Sequence, residues 1–433
     1  MRKGMIFIMA LAMLAGCAKA PDGVKSNTEN SRTADNAKNN YKKIAVSELD
    51  GESGRLYDYI SEQGYEDKFF LDEDIEINSI SELYDLTLVE ADGFDSYFPE
   101  LYSYLYGRDF YEDSGVNDIA ELPVSELHDG SVSFFRGEPY GQVEYIDTST
   151  IDPDNPGAYT TSMYTYPNGA MYFENSAEFF PYPHFKEYFS ADNIPDKKFK
   201  MLDGSEWSLK ECAEASVKTF TELYKLYDDD YEFKPFAAIP NETEAGCYFE
   251  IVMYRTYKGV PFSNMRINDP HSDSRSKMMW YECYYFGKNK LTSLNGSMGT
   301  EKITRAERIT DKVIPVTSAL DILNKELAAN IRLEITDISM VYYNEYDSSR
   351  YAEAYEKYEI GGNAALSEDE DRLLFYLDMG CVPETEFHCY PVWEFRLKRE
   401  IKPDDDGYYN SDFISGDAVY VNAVTGEVMT FID

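Results

Sequence analysis

Between residues 205 and 433 the chain writes one order of elements twice: a helix, then several strand-like runs in succession. Leu209, Cys212, Ala213, Ser216, Val217, Phe220, Leu223, Tyr224 and Tyr227 recur at spacings of three and four, which predicts a helix over 208–227 with one buried stripe. Ser208 and Glu211 form the capping-box pair at its start. A second helix is predicted from Thr317 or Ser318, with Leu320, Leu323, Leu327 and Ile331 on its inner face. Strands are predicted at 246–257, 260–262, 278–286 and 290–294 after the first helix. After the second they fall at 334–343, 373–378, 390–401, 418–423 and 428–432. β-branched and aromatic residues fill these runs, as half-buried pleated surfaces require. Lys258-Gly259 and Thr425-Gly426 read as tight turns, and 344–371 as an acidic surface insertion with a short helix. Strands following strands count against the strand–helix alternation of a parallel α/β fold. The expected class is α+β, with helix-on-antiparallel-sheet units at 205–310 and 315–433.

Residues 44–200 are expected as a separate N-terminal α+β domain, with its boundary near 193–204. A helix is predicted at 53–63, and a helix running into a strand at 79–89. From Gly130 the text turns β-rich (SVSFFRG, QVEYIDTST, TTSMYTYPNGAMYFENS), with Pro167-Asn168-Gly169 as a turn between two strands.

Charge limits the partners. The chain has 433 residues with 80 Asp and Glu against 40 Lys and Arg, a formal net charge of −40. Such a surface repels phosphate backbones, so no nucleic-acid partner is expected. An apolar content of 43% argues against disorder along the whole length. No apolar run reaches the roughly 18 residues of a transmembrane helix.

The N-terminus carries an address. Arg2 and Lys3 precede an apolar run from Met5 to Leu14, too short for a permanent span and suited to a cleaved export signal. The run ends Leu14-Ala15-Gly16-Cys17, which resembles the lipobox of bacterial lipoproteins. The resemblance implies a signal peptide over 1–16, cleavage between Gly16 and Cys17, and diacylglycerol and palmitate on Cys17. Two acyl chains suffice for stable attachment. The implied location is the extracytoplasmic face of the cell membrane, with the lipid anchor as the membrane partner. Residues 17–43 hold one Pro, one Val and no aromatic before Tyr41. They read as a flexible tether with a reach of about 25–30 Å.

A second resemblance rests on the C-terminal text. Asp417-Ala-Val-Tyr-Val-Asn-Ala-Val-Thr-Gly-Glu-Val428 resembles the last hairpin of PepSY-type domains, and Tyr390-Pro-Val-Trp-Glu-Phe395 the strand before it. Tyr254 to Phe262, with its Lys-Gly-Val-Pro, is similar to the matching turn in extracytoplasmic regulators of cell-wall sensor kinases. Asn422 stands where the pattern prefers Asp. The plan resembles uncharacterised Clostridia-type lipoproteins with tandem PepSY-like domains. It implies cystatin-like α+β modules whose roles are inhibitory or regulatory binding.

A search for reaction chemistry assigns nothing. The four histidines, His128, His184, His271 and His388, have no partner at metal-ligand spacing. HExxH, CxxC, G-x-S-x-G, P-loop and G-x-G-x-x-G motifs are absent. His388 and Cys389 are adjacent on a strand and so point to opposite faces. Asp152-Pro-Asp154-Asn155-Pro156-Gly157 imitates an EF-hand opening but has Pro156 at position five and Met163 at position twelve. Asp228 to Asp230 and Asp404 to Asp406 read as solvated turns. No catalytic, cofactor or metal residue is therefore assigned, and no enzyme is expected. Beyond Cys17, an odd number of cysteines (212, 247, 283, 381 and 389) leaves at least one thiol free. Cys247 with Cys283 and Cys381 with Cys389 are geometrically open pairings, as are free thiols throughout. Tyr occurs 38 times. The clusters Tyr97, Tyr102, Tyr104, Tyr106, Tyr111 and Tyr342, Tyr343, Tyr346 suit either a glycan or peptide surface or half-buried packing. The functional expectation is a non-catalytic binding or regulatory module for an envelope protein, peptide or glycan, with edge-strand pairing as one mode. The alternatives are a transporter's solute-binding lipoprotein and a carbohydrate-active enzyme.

Overall fold

The computed structural model describes residues 41–431 except 52–55, 72–74, 76, 79, 91–92, 126–131, 138–141, 148–160, 167–170, 175–188, 264–273, 276–280, 297–300, 328–330, 348, 368, 372, 375–385 and 399–417. The described chain is mixed α+β, mostly sheet with few helices.

Helix Leu209–Lys225 begins where the sequence places it. Ser208 is its N-cap, and Ser208 Oγ accepts from Glu211 N at 3.0 Å. Leu209, Cys212, Ala213, Ser216, Phe220, Leu223 and Tyr224 form the buried stripe. The helix lies on strands Glu232–Glu242 and Cys247–Tyr257, to which Tyr281–Gly287 and Lys290–Gly296 add in sequence order, all antiparallel. Phe220 and Tyr224 meet Phe233 and Tyr281 edge-on or tilted, with ring centroids 5.4–6.0 Å apart. The plan then repeats. Helix Val316–Glu326, with Pro315 as N-cap and no side-chain cap, is followed by the antiparallel succession Leu333–Asp347, Glu386–Leu397, Ala418–Asn422 and Val428–Phe431. Leu320 and Leu323 are buried as expected, whereas Ile331 falls beyond the helix. Trp393 Nε1 donates to Ile314 O at 2.8 Å and ties the second sheet to the start of its helix.

The two turns read from sequence form. Lys258 and Gly259 take φ of 51° and 80° and fold Val260–Pro261 back on Cys247–Tyr257. Gly426 takes a φ of 80° between Ala418–Asn422 and Val428–Phe431. A Cβ on Gly426 would meet Ile314 and Ile322 methyls at 3.1 Å, so the turn also needs glycine for closeness to the helix.

The region 44–200 departs from the expected separate domain, because its strands complete both sheets. Met171–Glu174 pairs with Lys290–Gly296 and carries the first sheet on through Thr161–Thr165, Val143–Asp147, Val132–Gly137 and Val124–Ser125. Eleven described strands result. Tyr84–Glu90 lies in the other sheet between Glu386–Leu397 and Glu301–Arg308. Glu301–Arg308, expected within the first unit, therefore belongs to the second unit's sheet. The physical reason is that a meander's outer strand leaves a row of unpaired N–H and C=O groups, and a neighbouring hairpin satisfies it. The 79–89 segment is a strand from Tyr84 with no helix before it. Leu373 and Leu374 are helical rather than extended, and the insertion carries helix Ser349–Gly361. Two strand pairings are parallel among the described residues, Phe69–Leu71 on Leu333–Asp347 and Val124–Ser125 on Val132–Gly137.

Candidate functional site

Strand alternation gives the eleven-stranded sheet two unlike faces. One face packs into the core with Val143, Tyr145, Met163, Phe173, Leu294, Cys283, Phe249 and Ile251. The other follows from the pairing register as two cross-strand rows. The first row is Glu144, Tyr164, Tyr172, Asn295, Glu282, Val252, Ala237. The second is Ile146, Ser162, Glu174, Ser293, Tyr284, Glu250, Ile239. No Lys, Arg or His stands in either row.

The rows are built from specific contacts. Tyr164 and Tyr172 stack with centroids 4.9 Å apart and planes at 16°. Tyr172 OH donates to Glu174 Oε2 at 2.8 Å, and Asn295 Nδ2 to Glu282 Oε1 at 3.2 Å. Gln142 Nε2 donates to Glu144 Oε1 at 2.7 Å. Burial, with Glu144 and Glu174 nearby, pushes the Tyr164 hydroxyl up to about 12, and burial also raises Tyr172, Tyr248 and Tyr284. These phenols stay neutral and serve as hydrogen-bond donors at any ordinary pH.

Glu250 is the unusual member. It is 8% exposed, and its Oε1 accepts no hydrogen bond. Asn241, one strand over and 3% exposed, leaves Nδ2 without an acceptor. Burial first, and Glu282 second, raise the Glu250 carboxyl to about 8, while Asn241 and Tyr284 pull it down. The lowering comes from the hydrogen-bonding side chains of Asn241 and Tyr284.

A second buried polar cluster lies where the units meet. Phe262 N donates to Arg255 O at 2.9 Å and Ser263 N to Tyr342 O at 2.8 Å, so the strand after the Lys258-Gly259 turn joins the other sheet. Beyond it Glu394 is fully enclosed. Tyr420 OH donates to its Oε2 at 2.9 Å, Ser263 Oγ to the same oxygen at 3.3 Å, and Arg396 Nε to its Oε1 at 2.6 Å. The Arg396 guanidinium sits 4.5 Å from the Phe236 ring centroid. Nearby, fully buried Arg255 stacks 4.0 Å over Tyr231 and donates from Nη1 to Glu301 O at 2.9 Å.

The residues singled out in the sequence divide. Gly16, Cys17, His128, His184, His271, Cys381, residues 152–157 and Asp404 to Asp406 lie outside the described residues. His388 and Cys389 point apart: His388 Nε2 meets Asp85 Oδ1 at 2.8 Å on the surface, and Cys389 is buried with its thiol raised by burial. Cys212, Cys247, Cys283 and Cys389 are free and buried. The register sets Cys283 opposite Ile251, four residues along the strand from Cys247, so that pairing has no geometry to form. Tyr102, Tyr342 and Tyr343 are core residues, while Tyr104 and Tyr111 are 42% and 45% exposed. Tyr102 packs against Phe110, Phe134 and Tyr145 at centroid distances of 5.1–6.0 Å. A further group, Tyr164, Tyr172 and Tyr284, stands half-buried on the other face of the eleven-stranded sheet. Their alternation with Glu144, Glu174, Glu250 and Glu282 was visible in the strand text, but which strands stand side by side was not.

No known protein family matches the chain, and no curated protein does. Among solved structures it is similar to an uncharacterized protein from Eubacterium rectale. That likeness has a TM-score of 0.43 at 15% identity and covers 84% of this chain and 92% of the other.

Proposed function

We propose that this chain is a lipid-anchored extracytoplasmic binding protein, non-catalytic, that recognises its partner through the Tyr/Glu face of the eleven-stranded sheet. The lipobox text ending in Cys17 supports the anchor, and the two helix-and-meander units are the PepSY-like modules of this reading. The observation that carries it is the pair of cross-strand rows, in which Tyr164, Tyr172 and Tyr284 stand among Glu144, Glu174, Glu250 and Glu282. Anchoring is tested by labelled palmitate, which is expected to enter the wild type and not Cys17→Ser. Recognition is tested by photo-cross-linking from the Tyr164 position in native membranes. A reproducible envelope partner that is lost when Tyr172 and Tyr284 are replaced by Ser supports the reading, and cross-links unchanged by those replacements overturn it.

A second reading has one specific observation behind it. A carboxylic acid raised to about 8 beside a second carboxylate, Glu282, is the pairing that glycoside hydrolysis uses for its acid and its base or nucleophile. Polysaccharide turnover abolished by Glu250→Gln would favour this carbohydrate-active alternative over a pure binder. The transporter-linked solute-binding alternative has less support, since among the described residues the strand pairings are antiparallel apart from two short ones.

A further inference from the structure

Resting on the lipid-anchored reading, we infer that the surface around helix Val316–Glu326, where residues 41–71 lie, is the side that meets the headgroup layer of the bilayer, with the outer strands of the eleven-stranded sheet held away from it. Three observations converge on this face. The first is where the chain emerges. Tyr41 lies against the Gly426 turn, 3.6 Å from where a Cβ would stand, and Lys325 Nζ sits 4.6 Å from its ring centroid. Lys43 Nζ donates to Val424 O, and Ile44 exchanges two backbone hydrogen bonds of 2.8 Å with Val313. The Tyr59 and Tyr65 hydroxyls both donate to Asp321 Oδ1, and Lys68 Nζ donates to Asn324 O and Leu327 O at the helix end. All of these partners lie within 313–426.

The second observation is reach. Cys17 and Tyr41 are 24 residue steps apart. That length spans at most about 80–85 Å fully extended. A body of this size has a diameter of about 55 Å, so a path from Tyr41 round to its far side takes about 85 Å. The far side is therefore at the limit of the chain, and the surface around Tyr41 is well within it. The third observation is composition. Tyr57 and Phe70, 45% and 37% exposed, both stand on this side, and the Arg332 guanidinium lies 3.3 Å from the Phe70 ring centroid. Aromatic rings with Lys and Arg beside them suit the headgroup level, where one end is apolar and the other wet. Asp58, Glu62, Glu66 and Asp67 share the segment, so attraction to anionic headgroups is offset and the acyl chains supply the attachment.

Tyr57 and Tyr111 are equally exposed and make a matched pair of probes. Tyr111 packs on Phe110, whose ring centroid is 5.4 Å from that of Phe134 in the outer part of the eleven-stranded sheet. The experiment places a fluorescent amino acid at one position or the other in the acylated full chain. The chain is held on vesicles of phosphatidylethanolamine and phosphatidylglycerol that carry nitroxide-labelled headgroups. Quenching is expected to be several-fold stronger at position 57 than at position 111. Hydrogen exchange on the unlabelled chain gives a second reading. Helix Leu56–Gln63 is expected to exchange several-fold more slowly on vesicles than in soluble Cys17→Ser, and helix Phe110–Ser114 at the same rate in both. Equal quenching at the two positions, stronger quenching at 111, or protection of neither helix overturns the inference while the anchor stands. Absence of labelled palmitate from the wild type overturns the anchored reading and the inference together.

Discussion

Glu250 and Glu394 stand on the second strand of their respective meanders, on the side away from each unit's helix, and both are buried. Their surroundings are opposite. Glu394 is enclosed by Arg396, Tyr420 and Ser263, with hydrogen bonds to both carboxylate oxygens. Glu250 has the carboxylate Glu282 for a neighbour, with Asn241 and Tyr284 as its hydrogen-bonding side chains. One fold plan therefore holds a carboxylate neutralised by an ion pair in the second unit and, in the first, one that burial keeps protonated up to about pH 8. The neutralised one joins the two units, because Ser263 comes from the first and the rest from the second. The protonated one adds no such joint.

The largest effect that separates them is pH-dependent. The Glu250 carboxyl lies at about 8 in the folded chain against an ordinary 4.5. The native state therefore holds a proton that the unfolded chain has released across this window, and the group's contribution is full below about 4.5 and lost as pH rises through about 8. At 1.36 kcal/mol per unit the loss is of the order of 4–5 kcal/mol. Urea unfolding at pH 5, 7 and 9 is expected to show wild type falling toward Glu250→Gln and then below it. Parallel curves for the two proteins would show that Glu250 is not desolvated and would remove the contrast.

The complementary break is Arg396→Met, which leaves Glu394 enclosed without its cation. Removing one partner of a buried pair costs about 3–5 kcal/mol, while replacing both by apolar groups is often near neutral. Arg396→Met is expected to lose that amount in denaturant unfolding, and the double variant Glu394→Leu with Arg396→Met to recover most of it. A single variant as stable as wild type would mean that Tyr420 and Ser263 suffice, and Glu394 would no longer differ in kind from Glu250.

These residues also show how much of the fold is legible in the sequence. Periodicity located the helix at Leu209–Lys225 and its Ser208 cap, because helical burial depends on neighbours three and four residues away. The Lys258-Gly259 and Thr425-Gly426 turns were legible because left-handed backbone conformations restrict the residues that adopt them. The joining of Met171–Glu174 to Lys290–Gly296 was not legible, since strand pairing is non-local and leaves no spacing signal. For that reason the 44–200 region read as a domain of its own, and the Tyr/Glu face, which needs seven strands in order, had no outline. The excess of carboxylates hid Glu250 as well: it is one of 80 acidic residues and differs from the others only in what surrounds it.

A smaller test compares the helices. Helix Leu209–Lys225 is capped by Ser208, whereas Val316–Glu326 begins at Pro315 with no side-chain cap and relies on Trp393 bonded to Ile314 O. Ser208→Ala is expected to cost about 1 kcal/mol in thermal or urea unfolding. No loss would place the first helix under the same tertiary control as the second.

The smallest effect lies in the closing hairpins. The first unit turns at Lys288 and Asn289, with Asn289 itself left-handed at a φ of 58°. The second turns through Gly426, and Asn422 holds the bend by accepting from Val424 N and Thr425 N at 2.9 Å each through Oδ1. A carboxylate oxygen offers the same acceptor, which explains in physical terms why a pattern preferring Asp tolerates Asn here. Asn422→Asp is therefore expected to shift unfolding by less than about 0.5 kcal/mol, and Asn422→Ala, which strips the acceptor from two backbone donors, to cost about 1 kcal/mol. The ordering of the two variants is the test. If Asp were as damaging as Ala, the turn would depend on the amide's donor rather than its acceptor, and the hairpin's resemblance to the Asp-bearing pattern would lose its structural basis.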